Sequence, residues 1–489
     1  MSPVAMIFCG HLNDKYALAG VALAISVINV SSICFAMGLG TAVDTYMAQA
    51  YGSAKKYKMG IILQRVMIIF MIFCSLCVAT HLHVERILIL LYQEAGISKI
   101  AGDYVILFIP GEICFFLYTC ISKYLHNQNI VVPCTISCII ANIINIFLHW
   151  LLVFYYNLKV IGSAIALSVS YCWMLAILLF YVGVSRVFVD SWTGFSYQAL
   201  YGWWSFIKLA IPGALMICLE WWGFEIGVIA AGLLGPIQLG SQSLVLQLDS
   251  LWFQIPMGFQ IATSVRTGQY MGGGNKLNAI TLCRVAIISI SVLSIFVIVF
   301  FTTCRKLLPS LLTNVWEVVD LSAKLLPIIG IYMFFDGIAT VCKGILHGTG
   351  RQRIGAIIMF VFYYIFALPI GLSIMFTTSL ETAAYWYALC GNLIIQSIIL
   401  LIIFHFTNWD KMVSESKDRI HRLSFMSNSI FTEGTSSDHD MVFDALDNAC
   451  ELKSNTAKSH WWRVLIALVL CIPLIISILL KILISNNKM

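Results

Sequence analysis

WSFIKLAIPGALMICLEWWGFEIGVIAA, residues 204–231, decides how this chain must be read. It exceeds the roughly 20 apolar residues needed to cross a hydrocarbon core. Its charges are Lys208 near one end and two carboxylates, Glu220 and Glu225, in the middle. A surface helix of a soluble protein would show a polar stripe on one side, and this one is apolar nearly all round. Comparable runs lie on either side of it, near Ala17–Gln49, Met59–Thr80, Asp103–Tyr124, Val131–Phe154 and Val160–Val184, then Leu239–Ala262, Ala279–Phe301, Leu321–Leu346, Gly355–Phe376, Ala383–Phe406 and Trp461–Ile484. Composition agrees: of 489 residues, 60% are hydrophobic and 11% charged, with a mean hydropathy of +0.91. Soluble proteins carry about 25% charged residues. This excludes a soluble enzyme, a disordered scaffold and a free nucleic-acid binder, and the net charge of +6 is not clustered as nucleic acid would require. The fold class is an all-α integral membrane protein.

Between Thr407 and His460 the composition turns to Ser, Asp, Lys and Asn, which reads as a polar, solvated linker. Basic residues are read as sitting in short loops. The side of the Lys55–Lys58 loop, with Arg65, Lys123, Arg266 and Lys343 assigned to it, gathers more Lys and Arg than the other, which makes it cytoplasmic. The 407–460 linker is then cytoplasmic and the C-terminus outside. The opening MSPVAMIFCGHLND lacks the basic start and long apolar core of a signal peptide. The 16 cysteines are scattered through apolar runs. Cys74 and Cys77 read as packing residues on a buried helix, and no paired spacing suggests a metal site.

The chain also repeats itself. At an offset of 220 residues Gly20 matches Gly240, Met37-Gly38 matches Met257-Gly258, and Gln49 and Gly52 match Gln269 and Gly272. The offset then grows slightly, with Leu125-His126 matching Leu346-His347 and Ala166-Leu167 matching Ala388-Leu389. Six helices per copy is an even number, so the copies insert in the same sense as parallel repeats, a layout found in transporters. At this offset the helix matching residues 204–231 would begin before Met1, so the first helix of the N-terminal half is expected to be truncated. The expected organisation is an N-terminal bundle (1–185), a cytoplasmic linker (186–203), a six-helix C-terminal bundle (204–406), the polar linker (407–460) and an extra C-terminal transmembrane helix (461–489).

Charges inside a membrane cost at least about 2.5–3.5 kcal/mol each on insertion scales, so each asks for a reason. Glu220 and Glu225 are about 140° apart around their helix and can border one wide cavity. With Trp221 and Trp222 beside them and Phe224 one turn from Glu220, they suit an organic cation, which gains charge pairing and cation–π attraction. A desolvated carboxylate can also hold a proton. Asp336 is a second mid-helix acid, next to Phe334 and Phe335. Asp249 lies on the face of Gln242, on a helix that Pro256 is expected to kink. Gln247, on that helix, is a further candidate. Asp44 and Arg266 are read as an ion pair that latches the two halves. Glu112, after Pro110, has no acidic counterpart in the other half and is unassigned. The ion chemistry is therefore placed in the second half. No P-loop is present for direct drive by ATP, and no arrangement of nucleophile, base and acid marks an enzyme.

FCGHL (Phe8–Leu12), LAISVINV (Leu23–Val30), ILQR (Ile62–Arg65), FIPGE (Phe108–Glu112), KLAIP (Lys208–Pro212), LEWWGFE (Leu219–Glu225), TSVR (Thr263–Arg266) and GILHGTGRQ (Gly344–Gln352) run over most of the chain. In these it resembles the eukaryotic branch of the multidrug and toxin extrusion family. The resemblance implies two bundles around a central cleft and an antiporter, in the plasma membrane and acting as a monomer, that exports organic cations for protons. Glu220, Glu225 and Asp336 would be its titrating acids. It also implies two departures: Gln247 stands where animal members usually carry Glu, and Asp336 where the family carries Glu. Protons are the expected coupling ion, with sodium the alternative. A lipid or oligosaccharide flippase of the same superfamily is the alternative cargo reading. No cofactor is expected, and the partners are small organic cations and membrane lipid.

Overall fold

The computed structural model describes residues 1–428 apart from 13, 54, 186, 189, 190, 193 and 314, and no strand occurs among the described residues. Among the described residues ten helices are long and apolar enough to cross a membrane, and the helix that holds the expected span Leu239–Ala262 is not one of them, its polar residues lowering its hydropathy. The expected final helix at 461–484 lies outside the described residues. Two compact units result, one from residues 1–43, 55–203 and 424–428, the other from residues 44–54 and 204–423 together.

The first unit starts with a short helix, α1 (Ser2–Gly10), followed by α2 (Tyr16–Gly52), whose last residues from Asp44 belong to the second unit. Asp14 caps the start of α2, accepting from the Tyr16 and Ala17 amides at 3.0 and 3.2 Å, as an N-cap carboxylate does. Then come α3 (Lys58–His81), the short α4 (Val84–Leu90), α5 (Ala95–His126), α6 (Val132–Tyr155) and α7 (Lys159–Ser185). Pro110 interrupts the hydrogen-bond ladder of α5. The next amide, on Gly111, donates to Ser168 Oγ of α7 at 2.9 Å. Phe108 and Phe115 pack edge-on against Tyr171, with ring centroids 5.5 and 5.4 Å apart. Arg65 is not a loop residue: it lies in α3, buried, and donates to the Gln198 carbonyl at 3.0 Å.

The second unit comprises the end of α2 with α8 (Trp203–Leu234), α9 (Pro236–Gly272), α10 (Lys276–Thr303), α11 (Trp316–Thr349), α12 (Gln352–Thr377), α13 (Thr382–His405) and α14 (Trp409–Asn428), whose last residues from Ser424 belong to the first unit. Its core sets Tyr332 edge-on against Trp386 at 5.3 Å, and Trp386 Nε1 donates to Gln242 Oε1 at 2.7 Å. α9 is the most polar of the long helices and buries Ser241, Gln242 and Asp249. By contrast α10 leaves Val292, Ile295, Phe296 and Val299 exposed. Such a ridge would be costly in water at about 25 cal/mol per Å² and costs nothing against lipid tails.

Two features of this unit follow from the repeat. Gly52 ends α2 and Gly272 ends α9. A Cβ on Gly52 would collide with the backbone of Gln269, and one on Gly272 with the backbone of Gln49. The repeat mates thus meet reciprocally, each glycine against the other copy's glutamine, as two-fold related surfaces do.

The polar segment expected to be a solvated linker from Thr407 departs from that expectation at once. Trp409–Asn428 is a helix whose Trp409, Met412, Ser416 and Ile420 are buried. Spacings of three and four put these on one face, and that stripe was outweighed in the composition by its charged neighbours. Arg419 on this helix donates to Gln49 Oε1 at 2.7 Å and to the Thr349 carbonyl at 3.4 Å. It also lies over Gly350, the left-handed residue (φ +80°) that ends α11. Gln49 in turn donates to the Gly348 carbonyl at 3.0 Å. Burial pulls the Arg419 guanidinium below its usual value. Charge-assisted bonds of this kind contribute about 1.5–3 kcal/mol. Arg419→Gln is therefore expected to lower the melting temperature of the detergent-solubilised protein, with Arg419→Lys recovering part of the loss. An unchanged melt for Arg419→Gln would show that the clamp contributes nothing.

Candidate functional site

Glu220 sits on the face of α8 that carries Met216, Gly223 and Gly227, all buried in the second unit. Its neighbour is a cation. Lys343 Nζ donates to Glu220 Oε1 and Oε2 at 2.9 and 2.8 Å, and the two side chains are only 5% and 6% exposed. Tyr363 donates to Glu220 Oε1 at 3.5 Å from a π-helical turn of α12, Phe360–Ala367. Such turns re-aim a side chain and are frequent at functional sites. Tyr385 adds a hydrogen bond of 2.6 Å to the Gly223 carbonyl, one turn along α8.

Two further acids adjoin this pair. Asp336 lies on α11, two turns before Lys343 and on its face, and accepts from Thr340 Oγ1 at 3.4 Å. It interacts electrostatically with both Lys343 and Glu220. Asp249, on α9, interacts with Asp336 and Glu220, and its Oδ1 is buried with no hydrogen-bond partner. Three carboxylates thus share one patch with a single lysine. Such a cluster has spare capacity for protons or for a further cation.

The remaining sequence candidates sit elsewhere. Trp221, Trp222, Phe224 and Glu225 are partly buried on the flanks of α8. Gln247 is exposed and lines a separate hollow of 710 Å³ with Gly240, Ser243 and Leu312. Two residues along a helix is about 200°, so Gln247 cannot share the face of Asp249. Of the two latch candidates Asp44 is buried, while Arg266 is exposed with its guanidinium 3.5 Å from Gln269 Oε1.

Lys343 is the residue that sequence reasoning misplaced. Counted with the loop cations, it lies inside α11, 4% exposed. Its spacing of seven from Asp336 was the available signal, since it puts both on one helix face. Glu220 itself was a candidate, but its pairing with Lys343, 123 residues away on another helix, carried no signal in the sequence.

The MatE family profile matches residues 1–151 and 212–373, in the two halves separately. Multidrug and toxin extrusion protein 2 of Mus musculus is 36% identical over 419 residues, covering 86% of this chain and 73% of its own. The chain belongs to the multidrug and toxin extrusion (MATE) family. Multidrug and toxin extrusion protein 1 of Rattus norvegicus is 37% identical over 409 residues, covering 84% of this chain and 72% of its own. Among solved structures the eukaryotic MATE transporter AtDTX14 superposes with a TM-score of 0.81 at 28% identity, over 86% of this chain and 94% of that one. A MATE crystal structure in the straight conformation, at 16% identity, shares the fold with a TM-score of 0.73 over 85% and 92% of the two chains. As a MATE chain with ten candidate spans, this is a multi-pass membrane transporter.

Proposed function

We propose that this protein is a secondary active antiporter, in the plasma membrane and acting as a monomer, that exports organic cations, drugs and toxins in exchange for protons by alternating access. The observation that supports it most directly is the Glu220–Lys343 pair. Glu220 accepts an ammonium with both oxygens inside a membrane-spanning unit, so its surroundings already suit a cation. A proton and a cation compete for the same carboxylate oxygens, and occupancy by one excludes the other. Exchange becomes obligatory on that basis. Asp336 and Asp249 extend the patch and supply further sites for protons. Glu225, Trp221, Trp222 and Phe224 on α8 would approach cargo from its flanks. The Lys55–Lys58 side is taken as cytoplasmic. A lipid or oligosaccharide flippase would want unpaired inward cations, whereas Lys343 is neutralised by Glu220.

The test is uptake of tetraethylammonium into proteoliposomes under an imposed pH gradient, repeated with a sodium gradient. Wild type is expected to transport on the pH gradient alone. Glu220→Gln removes a charge-assisted contact worth about 1.5–3 kcal/mol, so its initial rate should fall roughly 10- to 100-fold. Uptake equally fast in the variant, or driven only by sodium, would reject the proton-coupled reading.

A further inference from the structure

The first unit holds a buried cluster that the exchange at Glu220 does not use. His81 ends α3 and is fully buried, and Glu112 lies mid-way along α5, 1% exposed. His81 Nδ1 is 2.9 Å from Glu112 Oε2. On its other side His81 Nε2 is 2.7 Å from Ser31 Oγ. Ser31 sits in a π-helical turn of α2, Asn29–Ile33. Glu112 Oε1 is buried with no hydrogen-bond partner.

Hydrogen-bond accounting fixes where the protons are. Ser31 has one hydroxyl hydrogen, and it donates to the Val27 carbonyl at 2.5 Å. Ser31 Oγ must therefore accept from His81, so Nε2 carries a hydrogen. At 2.9 Å, Nδ1 and Oε2 cannot both present lone pairs, so one proton lies between them. It belongs to Nδ1 in an imidazolium–carboxylate pair or to Oε2 in an imidazole–acid pair, and the net charge is zero in either form. Without that proton the cluster holds one buried negative charge. The thiols of Cys74 and Cys77 on α3 interact with Glu112, and behind them lie Cys34 on α2 and Cys114 on α5. Glu85 on α4 instead interacts with Asp103, which also interacts with Lys99. Among the described residues no lysine or arginine forms an ion pair with Glu112.

We propose that Ser31, His81 and Glu112 form a second proton-binding site, lying wholly within the first unit and distinct from the Glu220 cluster, which holds one proton between His81 Nδ1 and Glu112 Oε2. Loading neutralises the only carboxylate in the cluster. The free Oε1 is the face through which the proton arrives and leaves. Ser31 is a positioning residue: it fixes the Nε2–H tautomer and so keeps Nδ1 turned to the acid. Buried carboxylate–histidine pairs inside membrane proteins mark proton pathways for this reason.

The test counts protons and requires neither cargo nor gradient, so it is independent of whether Glu220 drives export. The purified full chain in unbuffered detergent is titrated between about pH 5 and pH 8, where an isolated imidazole changes charge. Glu112→Gln is expected to release about one proton fewer than wild type. The Glu112→Gln/His81→Gln double variant should also release about one fewer, because the two groups share a single proton. If Glu112→Gln releases as many as wild type, the proton is not shared with Glu112 and the proposal fails. A loss of two in the double variant would equally overturn it. Should these variants fail to fold, nitrogen NMR of isotope-labelled histidine in the wild type decides the matter. The His81 Nε2 is expected to stay protonated throughout while either Nδ1 or the Glu112 carboxyl, followed by carbon NMR of labelled glutamate, gains and loses the proton, and no change at either group would reject the proposal.

Discussion

Lys343→Met is expected to destabilise the protein by about 3–5 kcal/mol, the cost of leaving a buried charge without its partner. Glu220 and Lys343 are 6% and 5% exposed at their side chains, so solvent cannot take over the missing contact. Among the described residues the only other donor to this carboxylate is Tyr363, at 3.5 Å. That bond is too long to replace two charge-assisted ones at 2.8 and 2.9 Å. Asp336 and Asp249 worsen the loss, because Lys343 is the cation that offsets their field at Glu220. The double variant Lys343→Met/Glu220→Gln removes both charges and should recover most of the stability, since replacing a buried pair by neutral groups is often close to neutral. The melting temperature of the four proteins in detergent makes a double-mutant cycle, and a large favourable coupling is the expected result. A single variant as stable as wild type would mean that Glu220 carries no charge opposite Lys343.

That pair also marks where reading the sequence stops being sufficient. Ten of the spans were legible because lipid-length apolar runs leave few alternatives. Asp249 and Gln242 were legible as one face of a helix because seven residues make two turns, and both are buried. Glu220 stood out because an acid in such a run is costly. What was lost is pairing between helices. Lys343 had the right spacing from Asp336, yet its partner depends on how α8 and α11 pack. Glu112 stood without a role because His81 and Ser31, on two other helices, complete it. The helix Trp409–Asn428 was hidden for a different reason: a window of composition averages over a buried stripe, Trp409, Met412 and Ile420 with Ser416 between them, that a helical period resolves.

The repeat makes the last prediction, because it states that two separate substitutions are one experiment. Gly52→Ala and Gly272→Ala should each lower stability, and by similar amounts. Each adds a methyl where the opposing atoms are backbone, Gln269 for the first and Gln49 for the second. A side chain could swing aside, but a helix backbone moves only by separating the ends of α2 and α9. Overpacking of this kind costs about 1–3 kcal/mol. It competes with the gain of replacing glycine by alanine in a helix, roughly 0.5–1 kcal/mol, so the clash wins. Gly258 and Gly391 supply the control, being helical with nothing within 4 Å of an added Cβ. There the same substitution should leave stability unchanged or raise it slightly. The double variant should cost less than the two single losses together, because separation forced by the first methyl makes room for the second. A clear drop for one glycine and none for its mate would refute the reciprocal contact and, with it, the repeat as the reason both positions are glycine.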